Sequence, residues 1–176
     1  VLIRNHEING PVAAFGDPAT AYDTMTGGGT TRVVVTRFGE VIHAEVSNNG
    51  TQMNCSGGPM LWGSWVTCEE TVNGPDVGPD FTGAPNTALT QKHGYVHEVR
   101  ARASGADKTT PIRSAGRFAH ESVAYDPFFN YLFLTEDNFA FPSGFYRYRP
   151  PDHAALRRRI SDGGRLQMLA VKGQPN

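Results

Sequence analysis

One theme recurs along the chain and restricts its fold more than any other feature: an apolar run that ends in a carboxylate. It stands at Val1-Leu2-Ile3-Arg4-Asn5-His6-Glu7, Trp65-Val66-Thr67-Cys68-Glu69-Glu70 and Tyr131-Leu132-Phe133-Leu134-Thr135-Glu136-Asp137, with a looser form at Arg117-Phe118-Ala119-His120-Glu121. Each segment reads as a β-strand with an Asn or Thr near its end and acids at or just beyond it. Sheets arranged around a common axis bring such strand ends together. Carboxylates crowded in that way repel one another and raise one another's pKa values, so they call for a cation. The recurrence points to a hard-metal site.

The rest of the chain is punctuated as an all-β protein. The 20 Gly and 12 Pro are well spread, which implies many turns and little helix. Further strands are predicted at Arg32–Phe38, Val41–Val46, Ser64–Thr67, Gly94–Val99, Glu121–Tyr125, Tyr131–Thr135, Gly144–Arg149 and Gln167–Val171. Asn48-Asn49-Gly50 and Asp126-Pro127 read as tight connections, and Gly27-Gly28-Gly29-Thr30-Thr31 as a hairpin turn rather than a phosphate loop, since no Gly-Lys-[Ser/Thr] follows. Asn73–Thr90 is a long aperiodic loop, and only Asp152–Ile160 looks helical, with Asp152 as its N-cap. Strands recurring at wide, uneven spacing favour a β-propeller over a sandwich or barrel. At roughly 40–50 residues per blade the chain holds about three to four blades' worth of sequence. Residues 1–176 are therefore expected to form one partial propeller domain, truncated at both ends, with the remaining blades outside it.

Composition excludes several function classes. Sixteen basic residues nearly balance 17 acidic ones, so nothing argues for nucleic acid or an anionic membrane surface as partner. No apolar stretch approaches the roughly 20 residues of a transmembrane segment. A Gly-x-Ser-x-Gly elbow is absent, which leaves a serine hydrolase without support.

The densest chemistry lies between Asn54 and Glu70. Cys55 follows directly on Asn54 in what reads as a Gly-rich turn, and Cys68 precedes Glu69 and Glu70. Three readings of the cysteines compete: a disulfide, two structural thiols, or one thiolate bound to a metal beside the glutamates. Glu69 and Glu70 are adjacent, so in a strand they point to opposite faces, and one of them can reach the axis. His6 and His120 each precede a Glu without completing His-Glu-x-x-His, and read as structural.

Taken in order, these segments resemble the PhoX family of secreted alkaline phosphatases. The matching stretches include Asn5-His6-Glu7, Asn54-Cys55-Ser56-Gly57-Gly58, Thr67-Cys68-Glu69-Glu70, His93-Gly94-Tyr95-Val96, Gly116-Arg117-Phe118-Ala119-His120-Glu121 and Leu134-Thr135-Glu136-Asp137. The resemblance implies a β-propeller with calcium and iron at its axis, a small-molecule phosphate ester as substrate, and export to the periplasm or beyond. It makes Cys55 the iron thiolate and Glu70 and Glu121 metal ligands, with Glu7, Glu69, Glu136 and Asp137 as weaker candidates. Carboxylates suit Ca²⁺ and a soft thiolate suits a transition metal. Two other functions stay open: a calcium-dependent propeller lactonase or esterase, and a non-catalytic exported module stabilised by metals.

Overall fold

The structure is a computed structural model and describes residues 1–101 and 106–173. Its strands form three antiparallel sheets. The first contains β1 (Leu2–His6), β2 (Gly28–Val35) and β3 (Val41–Thr51), in that order. The second contains β4 (Asn54–Pro59), β5 (Ser64–Glu69) and β6 (Val96–Arg100). The third runs in the order β10-β9-β8-β7, from β7 (His120–Asp126), β8 (Tyr131–Glu136), β9 (Phe145–Arg149) and β10 (Arg165–Met168). All-β is therefore correct as a class.

Alternation explains which face each strand buries. In β8, Leu132 and Leu134 are fully buried while Tyr131, Phe133 and Thr135 are only partly so, the period of two that a half-buried strand requires. The core forms where the second and third sheets meet: Val66, Cys68 and Val96 from one pack with Val123, Leu132, Leu134 and Tyr148 from the other. Tyr148 can be buried because its hydroxyl donates to the Ser161 carbonyl at 2.6 Å and receives the Gly164 N–H at 2.9 Å.

The two sheets approach so closely because β4 carries Gly58, while the neighbouring Gly57 lets β4 lie equally close to β5 within its own sheet. A Cβ on Gly58 would lie 2.1 Å from the Val123 carbonyl oxygen of β7, and one on Gly57 would lie 1.9 Å from the Val66 carbonyl of β5. Only glycine fits at either place.

Several local expectations are corrected. Asn54–Pro59, read as a Gly-rich turn, is a strand. Gly28-Gly29-Thr30-Thr31 and Asn48-Asn49-Gly50, read as turns, lie inside β2 and β3, where register shifts absorb their extra residues. The helix shrinks to α1 (Ala154–Arg157), and His153, not Asp152, occupies its N-cap without a side-chain bond. Its leading N–H groups are satisfied from elsewhere in the fold: Ala154 N–H donates to Asn130 Oδ1 at 2.9 Å and Ala155 N–H to the Tyr125 hydroxyl at 3.1 Å. Arg158 then turns left-handed at φ 53 and ends the helix. Asp126-Pro127 does connect β7 to β8.

The long loop is ordered by polar anchors. Arg117 donates to the Val72 and His93 carbonyls, both at 2.8 Å, and pairs with Asp76 at 2.7 Å. Asn9 Nδ2 donates to Asp80 Oδ2 at 2.8 Å, which ties the far side of the loop to the segment after β1.

The close approach of β4 to β7 is testable. Gly58→Ala should destabilise the fold by about 1–3 kcal/mol or more through overpacking, whereas Gly78→Ala, where nothing lies within 4 Å of the added methyl, should be nearly neutral. Urea unfolding midpoints of the two variants decide the matter. Equal midpoints would remove the argument that glycine is required at position 58.

Candidate metal centre

Two β-bulges build the site. In the β4–β5 ladder, Asn54 pairs with Glu69 and Gly57 with Thr67, so one extra residue is accommodated at Cys55-Ser56. In the β7–β8 ladder, His120 pairs with Glu136 and Val123 with Leu134, which places an extra residue at Glu121-Ser122. A bulge bends its strand and re-aims the side chains it carries. Cys55 would stand opposite Cys68 in an unbroken ladder; the bulge turns it instead toward β7. Its Sγ lies 3.4 Å from Glu121 Oε2 and 3.5 Å from the His120 carbonyl. Both cysteines are free thiols. The disulfide alternative is thereby set aside, and Cys68 is a fully buried core residue.

Glu70 completes the group from the residue after β5. Its N–H donates to the Met53 carbonyl at 2.9 Å, which folds the chain back beside Cys55. Ligand atoms of Cys55, Glu70 and Glu121 all lie within 4.8 Å of one another, and all three residues are half-buried. Such a cluster is electrostatically strained without a cation. Burial, then the Glu121 and Glu70 carboxylates, push the Cys55 thiol far above its ordinary range. Burial, then Glu121 and Glu7, raise Glu70, and Asp137 adds to the effect. A soft sulfur with two carboxylates at this spacing fits a transition metal flanked by harder cations.

The other acids divide into two groups. Glu7 and Asp137 are close enough to act on Glu70 electrostatically and border the cluster. Glu136 is committed elsewhere: its carboxylate receives the Gly144 N–H at 2.8 Å and the Tyr146 hydroxyl at 2.9 Å. Glu69 points the opposite way from Glu70, as strand alternation demands, and is completely buried. The ring of His120 stacks on Phe118 at 3.6 Å and its Nε2 faces the Gly116 carbonyl at 3.1 Å; burial holds it neutral, with its pKa lowered to about 4. His6 faces the Thr31 hydroxyl.

Behind Glu70 lies a charged chain that the sequence did not reveal. Glu69 accepts the N–H groups of Gln52, Gly94 and Tyr95 at 2.9, 2.9 and 3.0 Å, and His93 Nδ1 meets it at 2.7 Å. On the other side of the ring, His93 Nε2 lies 3.5 Å from Asp23. Asp23 in turn accepts the backbone N–H groups of Met25, Thr90 and Gln91. Burial alone would make Glu69 harder to ionise, but the charge and hydrogen bond of His93, with His97 at 3.5 Å adding to them, outweigh it and hold Glu69 well below the usual carboxylate range. The mirror effect acts on His93: burial opposes its charge, yet Glu69 and Asp23 lift it to about 9. Gly94, at φ +103 with the Thr71 carbonyl 2.5 Å from where a Cβ would sit, lets the chain turn its N–H onto Glu69. The only signal in the sequence was a His beside a Gly at a strand start.

A sequence profile of the family described as alkaline phosphatase PhoX matches residues 13–175. No curated protein sequence matches the chain. Among solved structures, the chain is similar to Pseudomonas fluorescens PhoX in complex with vanadate, a transition state analogue, at 19% identity and a TM-score of 0.47. That similarity covers 93% of this chain and 31% of the solved one, so the chain spans about a third of its length.

The buried chain carries a pH signature. His93 has a raised pKa in the folded state, so its contribution to stability is complete below its ordinary value of 6.5 and is lost as pH rises through about 9. His93→Gln should therefore lie well below the native protein in unfolding midpoint at pH 6, and the gap should narrow by pH 10. A gap that stays constant over that range would show that His93 is not held as a cation.

Proposed function

The chain belongs to the alkaline phosphatase PhoX family, and from that premise we propose that Cys55, Glu70 and Glu121 are metal ligands of a phosphomonoesterase centre. The observation that carries the proposal is the convergence of one thiol and two carboxylates within 4.8 Å, delivered by three separate strands or strand ends. Glu7 and Asp137 flank this set as carboxylates for further cations. Iron at the thiolate and calcium among the carboxylates match the donor chemistry. When bound, such cations would bind and polarise a phosphate ester and offset the charge that builds up during its cleavage.

The chain's own residues prepare the site for that task. The two bulges set the Cys55 and Glu121 side chains toward each other, and the Met53–Glu70 backbone bond holds the third ligand beside them. Metal binding would release the proton of the Cys55 thiol, whose pKa lies far above its ordinary range without the metal, and would relieve the carboxylate repulsion that raises Glu70. A calcium-only lactonase centre has no use for a sulfur donor, which favours the phosphatase reading over it. The three antiparallel sheets would serve as blades or parts of blades of a β-propeller, with residues 1–176 as one portion of that domain. Export to the periplasm or beyond follows the family's secreted character. Among the described residues no helix is long and apolar enough to cross a membrane.

The test is elemental analysis of protein purified without chelator, read beside turnover of p-nitrophenyl phosphate. Retained iron and calcium are expected. Cys55→Ser should abolish bound iron with the fold largely intact, because a hydroxyl is a poor substitute for a soft thiolate. Cys68→Ser should lower stability through the core and leave metal content nearly unchanged. Equal loss of iron in the two variants would remove Cys55 from its assigned role.

A further inference from the structure

Asn5 belongs to β1 in the first sheet, yet its side chain reaches the β4 bulge of the second. Its Nδ2 donates to the Ser56 carbonyl at 2.8 Å and to the Cys55 carbonyl at 3.3 Å. Its Oδ1 receives the Thr67 hydroxyl at 3.1 Å and the Trp65 indole N–H at 3.2 Å. A primary amide has two N–H donors and two acceptor positions, so these bonds use its full capacity. Thr67 is itself oriented, since its Oγ1 accepts Asn54 Nδ2 at 3.0 Å, and Asn54 Oδ1 accepts the Thr51 hydroxyl at 2.6 Å. The amide is thus fixed from β5, and what it fixes are the carbonyls of Cys55 and Ser56, the two residues that the register shift leaves without a Cα partner in β5.

We propose that Asn5 is a positioning residue for the Cys55 thiol. A bulged residue is released from the ladder that otherwise dictates its peptide planes. By binding the carbonyls on both sides of the Ser56 Cα, Asn5 sets those planes and with them the direction in which Cys55 projects toward Glu70 and Glu121. The second bulge uses the same device: the Ser122 N–H donates to Thr135 Oγ1 at 3.1 Å, and the Ser122 hydroxyl donates to the Gly57 carbonyl at 3.1 Å. The Asn or Thr that recurs near the strand ends therefore acts on a neighbouring bulge or on its clamp. Asn5 acts on Cys55-Ser56, Thr67 on Asn5, and Thr135 on the bulge that carries Glu121.

Two measurements on the full chain test this, and only the second rests on the metal-centre reading. In metal-free protein, the rate of Cys55 alkylation by iodoacetamide is followed by mass spectrometry, with fully buried Cys68 as the internal reference. Asn5→Ala and Asn5→Asp should each raise that rate several-fold. Thr67→Val, which keeps the side-chain shape and removes the hydroxyl that bonds both Asn5 and Asn54, should raise it less, and it serves if the Asn5 variants fail to fold. In the second measurement, Co²⁺ is titrated and the thiolate-to-cobalt absorption band recorded. The variants should bind Co²⁺ about tenfold more weakly, with a displaced band, as loss of an outer partner of a ligand typically does. A purely structural Asn5 would lower the unfolding midpoint yet leave the alkylation rate and the band of the folded protein at native values, and that result would overturn the proposal. A native protein without the band, but with altered alkylation in the variants, would overturn the metal-centre reading and leave the positioning role standing.

Discussion

The structure depends most on the contact between β4 and β7, where two interrupted ladders lie against each other. Gly58 removes the side chain that would keep the two strands apart, and each strand carries one extra residue next to that contact. The consequence is geometric. Cys55 and Glu121, which regular pairing would direct at their own ladder partners, are turned toward each other across the sheet boundary. The same deviation takes Cys55 out of register with Cys68, and the structure has both as free thiols. The core beneath is ordinary β packing; the chemistry is concentrated where pairing fails.

The adjacent pair Glu69-Glu70 shows how one strand serves two opposite electrostatic needs. Glu69 is fully buried, surrounded by N–H donors and a protonated imidazole, and is stabilised as an anion. Glu70, one residue later, is disfavoured as an anion by partial burial and by Glu121, Glu7 and Asp137, an effect that a hydrogen bond from the Cys55 thiol only partly offsets. A buried charge survives only when paired and hydrogen-bonded, and Glu69 satisfies that condition without any metal. The Asp23–His93–Glu69 chain also links the segment before β2 to the second sheet, so the strand that ends at Glu70 is held from behind by charge as well as by packing.

The class of fold and two of the three clustered side chains, Glu70 and Glu121, were readable because they rest on local pattern, whereas Cys55 was singled out only through the resemblance to a family. Alternation marked β8, and the repeated acid after an apolar run marked Glu70 and Glu121. What could not be read depends on pairing between distant segments. Gly57-Gly58 looked like a turn because glycine is disfavoured in strands, whereas here a neighbouring backbone leaves no room for anything larger. Asn49-Gly50 looked like a hairpin for a similar reason. Glu136 matched the acid theme, but the hydroxyl of Tyr146 and the N–H of Gly144 claim it, and both lie across a loop. Asp23 carried no motif, and the His93-Gly94 stretch gave no hint of its partner, since 70 residues of chain must fold before Asp23 and His93 meet.

The opposed orientation of Glu69 and Glu70 bears on how this segment can change in evolution. Because side chains in β5 alternate, removing or adding a single residue between Ser64 and Glu69 would exchange the destinations of the two carboxylates. The anion braced by imidazole would be delivered to the acidic cluster, and the cluster's own acid would be driven into a closed interior. Point substitutions in β5 can be absorbed one side chain at a time, but a frame slip of one position exacts both penalties together. Length, more than identity, is the property of this strand that selection must guard.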